Sequence, residues 1–381
     1  NHCLSLLPNQ DLTIPEMYLL KDTLYNLKVL SEVKGEKGLA DDYNKQRQHL
    51  IQANASLIVD SCQKEILQGT DTIQTYADLV LAYAELWEYD QLLQAAKVLV
   101  ERFGLFGTVI YNAAVRLSGK VSQNEVEYLV DCSLPGADQR IREFAKARLL
   151  PMSYRSEEEV QLYRHRFSQA LEQLMFVNLD DEEQWKCATT LIDVKSNFFL
   201  GYQGSNDRDY QALYSKFVQK VLMRAYSSYM KPLPMPALAS DQKIRIGYIS
   251  MHLQSHSGTR WFWGWIKNHN RSDFEIYCYA ISFQPDEVNA ELEAISDRFV
   301  RLGINFQEII ETVRQDQLHV LIFTDIGMDP ITLKLGHLRL APLQCLAWGH
   351  PITSGSPSID YFLSSDAMEP ENAKEHYTET L

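Results

Sequence analysis

A proline-rich segment, Lys231-Pro232-Leu233-Pro234-Met235-Pro236, divides the 381-residue chain into two parts with different hydrophobic patterns. A helix cannot continue through it, because proline lacks the backbone donor and disfavours helix at the preceding residue. The segment is typical of an extended linker. We therefore predict an all-helical region over residues 1–230, a linker over residues 231–240 and an α/β domain over residues 241–381.

Apolar residues recur every three or four positions before the linker, which indicates amphipathic helices joined by short loops, as in a bundle or a helical solenoid. The clearest segments are Met17–Val33, Tyr76–Leu86, Tyr89–Val100, Val160–Phe176 and Tyr210–Met230. Residues 81–99 resemble the centre of a tetratricopeptide repeat, with Trp87 at the position of the usual turn glycine. An ordinary antiparallel helix pair is the alternative.

Strand and helix patterns alternate after the linker, which predicts a doubly wound parallel sheet with right-handed crossovers. The predicted strands are Lys243–Ser250, Phe274–Ala280, Phe299–Leu302, Leu318–Phe323, Leu343–Trp348 and Ile359–Leu363. The predicted helices are Trp261–His269, which Thr259 would cap, Pro285–Ile295 and Phe306–Gln315.

The composition excludes several classes of protein. With 36 basic and 50 acidic residues the net charge is −14, which disfavours a general nucleic-acid binder because phosphate binding needs a basic face. No apolar run is long enough for a transmembrane helix. The 6 cysteines form no CxxC pair, a pattern typical of reduced thiols in a cytoplasmic protein.

Polar residues follow the first, fourth and fifth predicted strands, at the carboxyl edge where open parallel sheets bind ligands. These loops bring His256, Asp325 and His350 to one edge. The pair His252 and His256 lacks a third ligand, so we predict no metal site. Ser257-Gly258-Thr259 begins a helix and is a weak signal for phosphate binding, since such residues are common as simple helix caps.

Four blocks of sequence resemble the N-terminal catalytic lobe of the O-linked N-acetylglucosamine transferase (SPINDLY-type) glycosyltransferases of family 41. They are Arg245–Ser250 with His256, Tyr277–Ser282, His319–Asp325, and the longer run Arg339–Gln344, Trp348–Gly355 and Ile359–Tyr361. The chain departs from the family at Ser257, often proline, at Arg260, often a second histidine, and at His350, often aromatic. These departures concern the substrate more than the fold.

The resemblance implies a helical, repeat-like region followed by the first Rossmann-like lobe of a two-lobed (GT-B) fold. It implies an inverting transfer from UDP-N-acetylglucosamine, or a related UDP-sugar, to a protein Ser, Thr or Asn, with no metal or other cofactor. His256 and Asp325 would be the catalytic residues, with His256 as base or positioning group. His350, Pro351, Thr353 and Gly355 would line the sugar pocket, and the helical region would hold the acceptor protein.

The chain begins at Asn1 without a methionine and stops at Leu381 before a second, donor-binding lobe could begin. We therefore expect an inactive fragment of a larger protein, with the UDP-sugar held mainly by the lobe that is absent. Two other interpretations remain open. One is a helical-repeat interaction scaffold with a non-catalytic α/β lobe. The other, weaker, is a receiver-like domain, which lacks the acidic cluster expected after the first strand.

Overall fold

The computed structural model describes residues 37–104, 107–239, 242–281 and 286–381, with the side chains of the first helix described from residue 51 onward. The described chain forms two compact units that divide between Pro135 and Gly136. The predicted helix Met17–Val33 lies outside the described residues. None of the described helices is long and apolar enough to cross a membrane.

The first unit is helical throughout its described part. Its helices are α1 (Lys37–Gln68), α2 (Ile73–Leu86), α3 (Tyr89–Phe103), α4 (Thr108–Leu117) and α5 (Gln123–Ser133). The predicted segments at 76–86 and 89–100 are α2 and α3. Trp87, between them, has φ 62°, the left-handed conformation that favours glycine. The resemblance of this turn to a repeat turn thus extends to its backbone.

The second unit begins with four further helices, α6 (Gln139–Ala147), α7 (Glu157–Leu174), α8 (Glu182–Val194) and α9 (Arg208–Tyr226). Short 3₁₀ turns cover Phe198–Gln203 and Ser227–Tyr229. Each long helix here begins at an aspartate or serine, and the Ser156 hydroxyl, for example, accepts the Glu159 amide at the start of α7.

The sheet follows in the same unit and has six parallel strands in the described chain. They are β1 (Ile244–Ser250), β2 (Phe274–Ile281), β3 (Arg298–Leu302), β4 (Val320–Phe323), β5 (Leu343–Ala347) and β6 (Tyr361–Leu363). The helices between them are α10 (Ser257–Lys267), α11 (Glu287–Ile295), α12 (Phe306–Gln315) and α13 (Pro330–Leu335). The strand order is β3-β2-β1-β4-β5-β6, so the predicted doubly wound parallel sheet is confirmed.

Two local expectations are corrected. The helix expected at Trp261–His269 begins four residues earlier, because the side chain of His256 caps it in place of Thr259. Helix α13 was not expected, since its six residues are too few to show periodicity.

The compact units do not divide at the proline-rich segment, although helices give way to strands there. Helices α8 and α9 pack against the sheet domain: Ser215 on α9 bonds to buried His337 at 2.8 Å, and Lys334 on α13 pairs with Asp193 on α8. Helical periodicity shows that a helix has an apolar face, but it does not show which neighbour covers that face. Residues 136–230 therefore belong to the same compact unit as the sheet.

Candidate active site

The site lies at the carboxyl ends of β1 and β4, the two central strands. The chain leaves β1 toward β2 on one side, while β4 pairs with β1 on the other. This reversal of strand order opens a crevice at the carboxyl edge, where ligands bind in open α/β sheets. Ser250 ends β1 and Phe323 ends β4, so the loops that follow both strands meet there.

Asp325 is buried at the centre of this crevice, with 2% of its surface exposed. Its Oδ2 accepts hydrogen bonds from the Ser250 hydroxyl at 2.8 Å and from the Met251 amide at 3.0 Å. Its Oδ1 is buried without a hydrogen-bond partner in the described chain. Burial, with the nearby charge of Asp329, raises its pKa well above the usual range. Asp325 therefore fixes the end of β1 against β4.

Three side chains could hold a metal ion here. Ligand atoms of His252, Asp325 and Asp329 all lie within 4.8 Å of one another. The oxygens of Asp329 already accept the Ile331 and Thr332 amides and the Thr332 hydroxyl at the start of α13. The structure thus places His252 near two aspartates, whereas the sequence had suggested only His252 and His256 as a possible metal-binding pair.

His256 lies beside His252 on the loop between β1 and α10. The two imidazoles stack with their centroids 4.2 Å apart and their planes inclined by 18°. The His252 Nε2 is 4.0 Å from the Asp325 Oδ2, and burial followed by the neighbouring His256 lowers the pKa of His252 to about 4. Burial also lowers the pKa of His256. Both rings therefore favour the neutral form at pH 7.

His350, on the loop after β5, is buried and does not face solvent. Its ring lies 4.9 Å from that of Phe198 in the 3₁₀ turn before α9, centroid to centroid. A Cβ added at Gly327, where φ is 96°, would come 2.6 Å from the His350 ring, so only glycine fits there. Burial lowers the pKa of His350 to about 4, and its Nε2 has no partner among the described residues.

The rest of this loop is held by the C-terminal segment. The Glu379 carboxylate accepts hydrogen bonds from the Thr353 hydroxyl at 2.5 Å and from the Ser354 amide at 2.9 Å. Gly355 has φ 68° and lies so close to the backbone of Gln211 that no side chain would fit. Pro351 is exposed, whereas Thr353 and Gly355 are buried.

An aromatic cluster supports the same loop from the side of α10. Trp348 packs on Trp261 and Trp265, with ring centroids 4.6 Å and 5.1 Å apart. Gly349 follows it, and a Cβ there would overlap the carbonyl oxygen of Thr324. The loops after β4 and β5 are therefore in backbone contact.

The structure thus brings the predicted His256 and Asp325 to one crevice, with His350 in the adjoining loop. Sequence reasoning missed Asp329 and Glu379 as parts of this arrangement. Asp329 carried a weak signal, since an aspartate before Pro330 is a common helix cap. Glu379 carried none, because its partners lie 25 residues away.

A six-stranded parallel sheet with polar side chains at its central switch point defines a Rossmann-like α/β lobe. Residues 214–381 match the family model "Glycosyl transferase family 41". This part of the chain is therefore similar to the family 41 glycosyltransferases, in line with the sequence resemblance.

Curated relatives match this chain over only a small part of their own length. A UDP-N-acetylglucosamine--peptide N-acetylglucosaminyltransferase of Caenorhabditis elegans is 30% identical over 150 residues, which are 38% of this chain and 13% of that protein. The probable transferase SEC of Arabidopsis thaliana is 24% identical over 151 residues, which are 39% of this chain and 16% of the relative. The chain therefore spans less than a fifth of their length.

A solved structure extends the likeness to the helices. The O-GlcNAc transferase of Thermobaculum terrenum, solved as a point mutant, is 19% identical with a TM-score of 0.51. The match covers 82% of this chain and 58% of that one. It shows that the order of helical region and parallel sheet is shared.

Proposed function

We propose that the protein to which this chain belongs transfers a sugar from UDP-N-acetylglucosamine, or a related UDP-sugar, to a Ser, Thr or Asn of proteins. The observation that carries the proposal is the cluster of His252, His256 and Asp325 at the carboxyl ends of β1 and β4, which lies within the segment that matches family 41. The names of the curated relatives supply the donor and the acceptor class.

The reaction is a single displacement that inverts the anomeric centre. The acceptor atom forms a bond to the anomeric carbon while the bond from that carbon to the diphosphate breaks. UDP leaves with the bonding electrons, and the proton of the acceptor passes to solvent. Such a step needs an aligned acceptor and stabilisation of the charge on the leaving group.

The residues of the crevice take distinct parts in this proposal. His256, partly exposed at the mouth, contacts the substrates, and buried Asp325 positions the loop that carries it. The loop with His350, Pro351, Thr353 and Gly355 forms the sugar side of the pocket. The helical region holds the acceptor protein, and a second lobe holds most of the UDP-sugar. We place this activity in the cytoplasm, and the described cysteines are all free thiols, as a reducing compartment requires.

The test measures whether the full-length natural protein transfers radiolabelled N-acetylglucosamine from UDP-N-acetylglucosamine to an acceptor protein. We expect His256→Ala to lower kcat/KM at least 100-fold, while His165→Ala, an exposed histidine on α7, leaves it unchanged. EDTA should have no effect, because we propose no metal cofactor. If the intact, folded protein transfers a sugar from no UDP-sugar, the proposal is contradicted.

The interaction scaffold remains the second candidate, and exposed apolar side chains in the helical unit favour it. Leu81 and Trp87, on and just after α2, are 65% and 66% exposed. Side chains of this size offer apolar contact area to a protein partner, as the surfaces of helical repeats do. Retention of a protein partner through these residues, together with no sugar transfer, would favour the scaffold over the enzyme.

A further inference from the structure

The side chain of His256 is fixed by the helix that it caps. His256 has an extended backbone, with φ −137° and ψ 149°, and its Nδ1 accepts the amide proton of Gly258 at 3.0 Å. The first amides of a helix have no partner within the helix, so this bond satisfies one of them. A Cβ at Gly258 would lie 3.0 Å from the same Nδ1, so glycine keeps the approach open.

This bond selects the tautomer of His256. A neutral imidazole carries one N–H, and a nitrogen that accepts a hydrogen bond does not hold the proton. Because Nδ1 accepts from Gly258, the proton resides on Nε2. An Nδ1 that accepts this bond also excludes the doubly protonated ring, in which both nitrogens are donors.

The Nε2–H group is available to a ligand. His256 is partly exposed, and none of the residues that the structure describes bonds to its Nε2. The neighbouring His252 differs, since its Nε2 lies toward the carboxylate of Asp325 at 4.0 Å.

We propose that His256 acts as a hydrogen-bond donor through Nε2–H to an oxygen of the nucleotide sugar, and that it is not the general base. The ligand in this statement rests on the proposed function, whereas the tautomer is a property of the chain itself. A base must offer a lone pair, but the lone pair of His256 lies on Nδ1, where it binds Gly258. His256 therefore keeps its proton during transfer and stabilises charge on the oxygen that it contacts.

The tautomer is tested by nitrogen NMR of the protein labelled with ¹⁵N-histidine at pH 7. We expect the signals that disappear in His256→Asn to show a protonated Nε2 and an unprotonated Nδ1. A protonated Nδ1, or an equal mixture of tautomers, would overturn the proposal. This measurement needs no substrate, so it stands even if the proposed reaction is wrong.

Two variants separate the functions of the two ring nitrogens. His256→Gln places an amide N–H near the position of Nε2 but offers no basic lone pair. His256→Asn supplies an oxygen that caps α10 but does not reach as far as Nε2. In the full-length protein we expect Gln to retain about a tenth of kcat and Asn to lose at least 100-fold, with Asn the more thermostable of the two. Equal activity of Gln and Ala would contradict a donor role.

The oxygen that receives the bond is identified by titration of the same NMR signal. A shift of the His256 Nε2 signal with UDP alone assigns the diphosphate, and a shift only with UDP-N-acetylglucosamine assigns the sugar. An unchanged signal under conditions where calorimetry shows the nucleotide sugar bound would overturn the proposal. Loss of transfer with an intact Nε2–H tautomer would instead point to failure of the proposed function.

Discussion

The two compact units differ in what they bury. Among the described side chains of the first unit, the buried polar ones are Thr75 and Ser133. The second unit buries polar and charged groups throughout, among them Arg148, Arg164, Asp207, Asp325, His337, Gln344, His350 and Glu379. Burying a polar group is unfavourable unless hydrogen bonds replace its water. The first unit therefore has an almost entirely apolar interior. The second unit holds polar groups in fixed positions at a cost in stability.

The largest effect should come from the ion pair between Arg164 on α7 and Asp207, which are bonded at 2.7 Å. Burial raises the pKa of Asp207 to about 6, although Arg164 opposes the shift. Asp207→Ala leaves Arg164 buried without its charge partner, so we expect a loss of about 3–5 kcal/mol in the free energy of unfolding, measured by urea denaturation.

The control is a more exposed pair in the first unit, Lys97 and Glu125 at 3.3 Å, whose side chains are 26% and 36% exposed. Lys97→Ala should cost about 1 kcal/mol or less, because water screens this pair. Equal losses in the two variants would remove the contrast between the units.

Acidification should destabilise the second unit selectively. Burial lowers the pKa of His337 and of His350 to about 4, so their folded pKa lies below the unfolded value of 6.5. Their stabilising contribution is present above pH 6.5 and is lost as the pH falls toward 4, because the unfolded chain binds more protons. At pH 5 we expect a loss of about 2 kcal/mol for each histidine.

Amide hydrogen exchange at pH 7 and pH 5 shows which regions lose stability on acidification. It is measured by mass spectrometry and corrected for the intrinsic exchange rate. Residues 51–135 contain no histidine and should keep their protection. Greater loss of protection there than around α13 would contradict the assignment of these pKa shifts.

A substitution at Asp325 should have a smaller effect, and it should raise the stability of the protein. Asp325→Asn removes a buried charge beside Asp329 while an amide oxygen still accepts from Ser250 and Met251. We expect the protein to gain about 1 kcal/mol in thermal unfolding, since the neutral group has a lower desolvation cost. Sugar transfer by the full-length protein should fall at least tenfold, because a neutral amide oxygen holds the loop that carries His256 more weakly than a carboxylate does. A variant that is both less stable and fully active would contradict this trade-off.

The smallest effect concerns Trp87 in the first unit. Its left-handed backbone is unfavourable for a residue with a Cβ, and the side chain is exposed with one edge contact to Tyr89. Trp87→Gly should raise the free energy of unfolding by about 1 kcal/mol in urea denaturation. Gly104, with φ 61°, is the matched control, and Gly104→Ala should lower stability by about the same amount. Destabilisation by Trp87→Gly would show that the indole contributes more than its conformation costs.

Most of the fold could be predicted from local sequence patterns. The strands at 244–250 and 274–281 are short apolar runs, and their alternation with helices allows a single handedness of connection, so a parallel sheet could be predicted. The meeting of the loops with His256 and Asp325 follows from the same rule. These inferences need no knowledge of side-chain packing.

The remainder depends on contacts between distant parts of the chain. Histidine is not among the preferred capping residues, so the helix start at His256 could not be read from the sequence. The proximity of Asp325 and Asp329 follows from the turn into α13, and the contact of Glu379 with Thr353 requires the C-terminal segment to return to the sheet. The packing of α9 on His337 likewise has no local signature.

The contact between Phe198 and His350 has a consequence for how such a protein can be divided, by experiment or during evolution. A gene break at the proline-rich segment would cut through one compact unit and leave the ring of His350 and the α9 face of the sheet domain open to water. A break between Pro135 and Gly136 would preserve both of these contacts. The smallest segment that keeps them is therefore longer than the sheet domain, because four helices ahead of the prolines belong to the same unit.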